Sequence, residues 1–236
     1  MADAMANPSA FLTDVMSLVE AWAVDVVVPI SEAALLAILP ARERFGATQI
    51  PFADADTFRR VSDKALVLRT APRFGIGVPE QWTLPCREAL GSIDSDALAF
   101  PLVIKPSRSV GEQEGQRAKF GVRYAANRRQ LDAQLAEIGD GAYPLLLQQR
   151  LVGAGVGVFL LLWDGRTIAV FSHRRIREKP PSGGVSVYRE SIPPDASLVE
   201  RSRALLEHFG WRGVAMVEYK IDEASKLPYL MEINGR

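Results

Sequence analysis

The sequence predicts an α/β protein of the α+β kind, in which helices and strands alternate along a chain of 236 residues. Apolar residues recur at helical spacing in the first part, and several strand-like apolar runs follow one another in the second half. Hydrophobic residues make up 48% of the chain and charged residues 24%. This composition is typical of a globular protein with a real core, and it excludes a disordered or collagen-like chain.

Charge and cysteine content exclude further classes. Lys plus Arg and Asp plus Glu each number 28, so the chain lacks the positive charge of a nucleic-acid coat protein. The only cysteine, Cys86, leaves no internal disulfide or thiolate zinc cluster and is typical of a reducing cytoplasm. The apolar runs are far shorter than the ~20 residues of a membrane-spanning helix, and the N-terminus is not a signal peptide. We therefore expect a cytoplasmic protein without a nucleic-acid or membrane partner.

The N-terminal part predicts two helices around one strand. Asn7 and Pro8 open the first helix, whereas Ser31 caps a second helix that Pro40 stops. Between them, Asp25–Ile30 (DVVVPI) is a continuous β-branched run, which predicts a buried parallel strand. Because one parallel strand cannot form a sheet, this part is predicted to be an incomplete α/β domain.

The middle of the chain predicts a small α+β unit. Two helical stretches between residues 54 and 75 precede the strands QWTL and PLVIKP. Residues 107–121, rich in Gly, Ser, Glu and Gln, are predicted to form a loop. A short strand and a helix capped by Asn127 complete the unit.

The second half is predicted to be rich in strands. Its strand-like runs are PLLLQQRL, VGVFLLLW, TIAVFSHRRI, GVAMVEYKI and LPYLMEI. Asp164–Gly165 predicts a hairpin turn, residues 177–191 a loop centred on proline and glycine, and residues 195–209 a helix. Because the chain stops directly after its last strand, at EINGR, we expect the sequence to be a fragment or a truncated product.

The last two strands carry the sharpest functional signal. A simple antiparallel register places Glu218 opposite Glu232, with Cβ atoms ~5 Å apart, and Asn234 on the same face. Opposed like charges destabilise a hairpin unless a positive charge lies between them. Two carboxylates and an amide oxygen suit Mg²⁺, which takes its other ligands from water and phosphate. The alternative is a solvated hairpin face, although apolar neighbours on both strands favour a covered sheet.

Lys105 and the polar segment after it form a candidate phosphate site. Lys105 ends an apolar strand, from which its ammonium can enter a cleft and meet phosphate as a point charge. Ser107, Ser109, Gly111 and Gly115 offer hydroxyl and N–H groups that could surround an anion. The alternative is a solvated lysine beside a mobile loop, and the segment lacks the Gly-Lys-Ser/Thr ending of a Walker A motif.

Two other segments are ambiguous. Residues 153–157 (GAGVG) resemble a dinucleotide fingerprint, but that motif must open a helix and a strand follows here. We predict instead a glycine-rich connection where another group packs close to the backbone. Residues 173–177 (HRRIR) form a cationic patch that suits phosphate or a substrate carboxylate, or else a solvated strand end. With one cysteine and two histidines in the chain, a nucleophilic triad is not expected.

Taken together, these motifs resemble the ATP-grasp superfamily, in the branch of the carbamoyl-phosphate synthase large subunit and related carboxylate–amine ligases. The resemblance runs from DVVVPISE to the last residue. It implies two α+β subdomains that grip ATP, preceded by a partial Rossmann-like N-terminal domain. The implied boundaries are 1–61 for the N-terminal domain, 62–143 for the small subdomain and 144–236 for the large, truncated subdomain.

The resemblance also implies roles for individual residues. Glu218, Glu232 and Asn234 match the metal signature, while Arg236 and Lys105 match the catalytic cations that face the phosphates. The other implied nucleotide-binding residues are Lys64, Ser107, Gly111, Gln148, Gln149, Arg150, Leu151 and Arg175. Among these, residues 149–151 match the adenine hinge, although Gln149 stands where the family commonly has an acid.

The implied activity is that of an ATP-dependent ligase. ATP would phosphorylate a carboxylate to an acyl phosphate, which an amine or a similar nucleophile then attacks. ATP and Mg²⁺ (or Mn²⁺) are the implied cofactors, and a small carboxylate and an amine are the implied substrates. The resemblance leaves open whether the chain forms a homodimer. The alternative is a nucleotide-binding module or inactive fragment that binds Mg·ATP without ligation. Turnover that depends on a carboxylate and an amine separates the two.

Overall fold

The computed structural model describes four stretches of the chain: residues 1–94, 97–113, 116–179 and 184–236. Gly115 and the centre of the predicted loop at 177–191, residues 180–183, lie outside the described residues. In the described stretches, no helix combines the length and the apolar character that crossing a bilayer requires.

Each α-helix follows a cap residue whose side chain accepts a backbone N–H from the first turn. The helices are α1 (Pro8–Ala21), α2 (Glu32–Ile38), α3 (Ala55–Val61), α4 (Lys64–Thr70), α5 (Arg128–Glu137) and α6 (Ala196–His208). The caps predicted at Asn7, Ser31 and Asn127 are confirmed. Single 3₁₀ helices prolong α2 and α4, and Gly75 ends the second of these at φ 68°.

The predicted strand at Asp25–Ile30 is wrong. A single parallel bridge joins Val26 to Gln49, while Val28 is 57% and Ile30 82% exposed. A β-branched run becomes a buried strand only where other strands pair with it, and among the described residues Gln49 alone does so. The Rossmann-like character predicted for residues 1–61 is therefore not confirmed.

The described strands form two main sheets and one separate hairpin. In chain order they are β1 (Gln81–Leu84), β2 (Leu102–Pro106), β3 (Val110–Gln113), β4 (Gln116–Lys119), β5 (Arg123–Ala125), β6 (Leu145–Gln149), β7 (Gly153–Trp163), β8 (Arg166–Lys179), β9 (Val185–Ile192), β10 (Gly213–Asp222) and β11 (Pro228–Asn234). All pairings within these sheets are antiparallel.

The first sheet has four strands in the order β1-β6-β2-β5. Leu131 and Leu135 of α5 pack against Leu102, Ile104 and Leu147 of this sheet, and all five side chains are buried. Strand β6 follows residue 143 in sequence but pairs within this sheet. The proposed subdomain ranges 62–143 and 144–236 remain a prediction.

The second sheet has five strands in the order β11-β10-β7-β8-β9. One of its faces packs on α6 and the N-terminal helices through buried residues such as Val158, Val217 and Leu205. Asp164 and Gly165 both have positive φ, which confirms the predicted hairpin turn. The opposite face of the sheet is open to a cavity.

Two predicted loops contain strands. Within residues 107–121 the chain forms the separate hairpin β3–β4, and β8 and β9 occupy most of residues 177–191. The sequence pattern misses β3 and β4 because these short strands are mostly polar, and it misses β9 because proline and glycine precede this strand.

Candidate active site

A cavity of about 880 Å³ separates the first sheet and the β3–β4 hairpin from the five-stranded sheet. Its wall includes many of the residues predicted to bind nucleotide or metal. These are Lys64, Lys105, Arg175, Glu218, Glu232, Asn234 and Arg236. The fold thus brings together residues that are up to 172 positions apart in the sequence (236 minus 64).

Strand register orders the site in rows across the five-stranded sheet. Glu218 lies opposite Glu232 on one side and opposite Gly157 on the other, as predicted for the two glutamates. Gly157 in turn lies opposite His173. Because directly opposed residues share a face, this acidic row presents two carboxylates and one imidazole to the same side of the sheet.

The glycines of β7 allow long side chains to lie across the strand. A Cβ atom on Gly155 would come within 2.8 Å of the Arg175 Cδ, and one on Gly157 within 2.8 Å of the His173 Nε2. The predicted close packing at the glycine run is confirmed, although these glycines lie inside a strand rather than in a connection. Side chains from β8 can therefore approach Glu218 across β7.

Each glutamate of the acidic row has a cationic partner. The Arg175 guanidinium forms an ion pair with Glu218, and the Lys64 ammonium lies 3.4 Å from the Glu232 carboxylate. The Asn234 amide donates a hydrogen bond of 3.0 Å to Glu232. The side chains of both glutamates are mostly buried, so these interactions are only weakly screened by solvent.

Burial and neighbouring charges shift the pKa values of the acids and the lysine. Burial and the Glu232 charge raise the pKa of Glu218 to about 7, although Arg175 acts against this. Burial alone would also raise the pKa of Glu232, but Lys64, Asn234 and other groups hold it below its usual value. Burial lowers the pKa of Lys105 to about 8, against the attraction of both glutamates.

The donor set fits a hard cation that keeps ligands from solvent or phosphate. Among the described residues, no cluster of three or more His, Cys, Asp or Glu side chains could hold a metal. Glu218, Glu232 and Asn234 instead supply two carboxylates and an amide oxygen, which suits Mg²⁺ with its remaining sites on water or phosphate. The raised pKa of Glu218 reflects its burial first and its repulsion by the Glu232 carboxylate second. A bound cation would relieve that repulsion.

Two lysines reach the acidic row from other parts of the fold. Lys64 begins α4, and its ammonium also donates a 2.9 Å hydrogen bond to the Ser109 hydroxyl. Lys105 comes from β2, and its ammonium lies 3.9 Å from the Met231 sulfur. Positive charge is thus held opposite the glutamates.

Ser107 is predicted to bind nucleotide, but it does not line the cavity. It is 1% exposed, and its hydroxyl donates a 2.6 Å hydrogen bond to Asp63, the cap of α4. The hydroxyl also accepts the N–H of Ala65. In this structure Ser107 joins the end of β2 to the start of α4, and its contact with nucleotide stays a prediction.

The hinge residues and Gly111 also lie outside the cavity wall. Gln148 is buried and donates a hydrogen bond to Gln81, whereas Gln149 and Arg150 are exposed and Leu151 is half-buried. The Arg150 guanidinium lies 6.0 Å from the ring centroid of Tyr124, which does line the cavity. Gly111 lies in β3 against Phe120 and Gly141. The nucleotide contacts proposed for these residues remain predictions.

Sequence reasoning missed one acidic residue close to the site. Glu32 is the first residue of α2, and burial raises its pKa while Lys64 and Arg236 act in the opposite direction. The N-terminal segment therefore adds a carboxylate within electrostatic reach of the cavity. An acidic residue in the first turn of a helix is common for dipole reasons, so nothing in the sequence marked Glu32.

Solved structures with a similar fold include three enzymes. The D-alanine–D-alanine ligase from Bacillus anthracis, complexed with ATP, matches at a TM-score of 0.66 and 19% identity, over 93% of this chain and 70% of that one. The L-amino acid ligase from Bacillus licheniformis matches at 0.67 and 17%, over 98% of this chain and 53% of that one. The biotin carboxylase from Campylobacter jejuni matches at 0.73 and 15%, over 95% of this chain and 52% of that one.

These likenesses establish that the chain has the ATP-grasp fold, as predicted. The chain spans between about half and 70% of the length of these structures. Comparison of the sequence with protein-family models and with curated proteins finds no match.

Proposed function

We propose that the chain carries the site of an ATP-dependent ligase that activates a carboxylate as an acyl phosphate for attack by an amine or a similar nucleophile. One observation carries the proposal. Glu218 and Glu232 lie opposite each other in register with mostly buried side chains, in one cavity with Lys64, Lys105 and Arg236. Two of the similar structures are named as ligases, and one of them was solved with ATP.

The chemistry follows from the weakness of a carboxylate as an acyl donor. Direct attack by an amine would have to expel oxide, whereas an acyl phosphate expels phosphate. Lys64, Lys105 and Arg236 would hold fixed positive charge against the phosphoryl group during its transfer. Mg²⁺ bound by Glu218, Glu232 and Asn234 would supply a Lewis acid that neutralises phosphate oxygens.

The β3–β4 hairpin is the proposed lid of this site. Lys119, the last residue of β4, and Phe120, which follows it, line the same cavity as the acidic row. The Arg117 guanidinium donates hydrogen bonds to the carbonyl oxygens of Ala4, Ala33 and Leu36, which fastens the hairpin to α2 and to the turn before α1. A closed lid would exclude water from an acyl phosphate, which hydrolyses readily.

Turnover is the experiment that tests the proposal. ADP release is measured with Mg·ATP and a panel of carboxylates, with hydroxylamine as a general nucleophile that converts an acyl phosphate to a hydroxamate. Glu232→Gln keeps the shape of the side chain but removes its charge, so we expect turnover to fall by about 100- to 1,000-fold. Glu223→Gln, in the exposed turn of the same hairpin, is the matched control and should leave turnover unchanged.

Two results would count against this function. Equal Mg·ATP binding and turnover in the wild type and Glu232→Gln would show that the metal assignment is wrong. Mg·ATP binding in calorimetry, without ADP release for any carboxylate, would favour a nucleotide-binding module instead.

A further inference from the structure

The cavity face of the five-stranded sheet changes from charged to apolar along its strands. In the row next to the acidic row, Phe159 of β7 lies opposite Phe171 of β8 and opposite Met216 of β10. Met216 lies opposite Asn234 of β11. We propose that Phe159, Phe171 and Met216, here called the apolar shelf, bind an apolar side group of the carboxylate substrate. This inference rests on the proposed ligase function.

The shelf is a packed surface rather than a set of isolated apolar residues. The rings of Phe159 and Phe171 lie 5.4 Å apart, and the buried His173 ring meets Phe159 edge-on at 5.0 Å. Tilted and edge-on pairs are favoured arrangements of aromatic rings and stabilise their relative positions. A ligand would therefore meet a preformed surface.

The shelf is also open. Phe171 is 48% exposed, and Phe159 and Met216 line the same cavity as the glutamates. In the following row Val214 lies opposite Leu161, and Val214 is 38% exposed. An exposed apolar surface that continues into a cavity with polar catalytic groups is typical of a ligand site.

The position of the shelf indicates the acyl side of the reaction rather than the nucleotide. The proposed adenine hinge leads into the first residues of β7, near Gly153. From there the acidic row at Gly157 comes first and the shelf at Phe159 follows, about 7 Å further along the strand at 3.3 Å per residue. A phosphate over the acidic row thus lies between the hinge and the shelf. The group attached to the phosphorylated carboxylate extends over the shelf.

The chemistry of the shelf defines the substrate class. Phenylalanine and methionine side chains offer no strong hydrogen-bond donor or acceptor to a polar substituent. An aliphatic or aromatic side group of leucine or phenylalanine size would instead remove apolar surface from water on both partners. We therefore expect leucine or phenylalanine to be activated at least about tenfold more efficiently than alanine or aspartate.

Hydroxamate formation from these four amino acids, in both enantiomers, tests the shelf with Mg·ATP and hydroxylamine. Phe171→Gln removes an exposed part of the shelf, so the ratio of kcat/KM for leucine to that for alanine should fall at least about fivefold. Ile168→Gln is the matched control, since Ile168 is 56% exposed on the same strand, at the register shift opposite Leu161 and Leu162, and does not line the cavity. This control should leave the ratio unchanged.

The outcomes separate the shelf from the ligase function. Efficient hydroxamate formation with a preference for aspartate or alanine would overturn the shelf and leave the ligase intact. The shelf alone would also be overturned if Phe171→Gln changed the oligomeric state but not the leucine-to-alanine ratio, because a second copy would then cover it. Absence of hydroxamate from every carboxylate, despite Mg·ATP binding, would overturn the ligase function and the shelf with it.

Discussion

Two hairpins face each other across the cavity, and they are built differently. The β10–β11 hairpin is the edge of the five-stranded sheet, and Val217, Leu230 and Ile233 bury its second face in the main core. The β3–β4 hairpin pairs only with itself in the described structure, and Arg117 fastens it to backbone carbonyls. Apolar packing on the main core holds the acids in place, whereas the Arg117 hydrogen bonds and the smaller contacts of Val110 and Gly111 hold the lid. Regions held by few buried apolar contacts open at low free-energy cost.

The largest change in stability should come from a substitution in β7, the strand that pairs with β10. Gly153 has φ 146°, and a Cβ atom there would lie 1.9 Å from the carbonyl oxygen of Ile221 in β10. Gly153→Ala should therefore lower the free energy of unfolding by about 2–4 kcal/mol. Urea denaturation measures this change.

Gly91→Ala is the matched control for that substitution. No atom lies within 4 Å of a Cβ built on Gly91, and its φ is not in the left-handed region. We expect its free energy of unfolding to change by no more than about 0.5 kcal/mol. Equal denaturation midpoints for the two variants would show that Gly153 does not constrain the β10–β11 hairpin.

A smaller and more local effect should follow from releasing the lid. Arg117→Met removes the hydrogen bonds to α2 and to the turn before α1, each of which joins a charged donor to a carbonyl. Loss of about 1–3 kcal/mol of local stability should speed amide exchange in β3 and β4 by about 5- to 100-fold. Exchange in β10 and β11 should not change. Adding Mg·ATP to the wild type should slow exchange in the lid.

Arg123→Met is the control for the lid prediction. The Arg123 guanidinium binds Gln134 and Glu137 of α5, so its loss removes surface contacts without touching the lid. The lid assignment would be contradicted if both variants exchanged at the same rate in β3 and β4, or if Mg·ATP gave no protection there.

The smallest expected effect is on the pH dependence of the free energy of unfolding, through the titratable groups of the acidic row. Burial lowers the pKa of His173, and Arg175 and Arg189 add to this. Below about pH 6.5, the pKa of an unperturbed histidine, the imidazole of the unfolded chain binds a proton while the buried imidazole stays neutral. The free energy of unfolding therefore falls as the pH falls. The raised pKa of Glu218 has the opposite sign between about pH 4.5 and 7, because the folded carboxyl keeps its proton there. Substituting His173 alone separates its contribution from that of Glu218, which the wild type and the variant share.

His173→Gln should therefore lose less stability than the wild type between pH 6.5 and 5, by up to about 1.4 kcal/mol per pH unit. Urea denaturation at several pH values measures the difference. His208→Gln, at the exposed end of α6, is the control and should follow the wild-type profile. Parallel profiles for His173→Gln and the wild type would show that the imidazole is not kept neutral by burial.

The contrast between the hairpins explains what the sequence could predict. In β10 and β11, apolar residues of the buried face alternate with residues of the cavity face, so the sequence predicts the pairing of Glu218 with Glu232. The structure shows this pair, although a register shift between Glu218 and Tyr219 separates it from the turn. Strands β3 and β4 are four residues each and carry little apolar pattern, so the same reasoning predicted a loop. Sequence pattern reports burial, and a polar hairpin buries too little to be detected.

Other differences arise from tertiary context. The run Asp25–Ile30 has the composition of a buried strand, but composition does not show whether other strands will pair with it. The apolar shelf was also missed, because Phe159, Phe171 and Met216 come from three strands and meet only through register. Helix caps need no such context, since the cap and its N–H are three residues apart.

Strand β6 has a mechanical consequence for the cleft. Leu145 and Leu147 enter the core of the first sheet and Leu146 enters the main core, and none of the three side chains is exposed. Because β6 is buried on both faces, we expect it to be rigid. Residues 150–152, between β6 and β7, belong to no strand. A change in the angle between the two sheets would require torsion in this short link, directly beside the proposed adenine site.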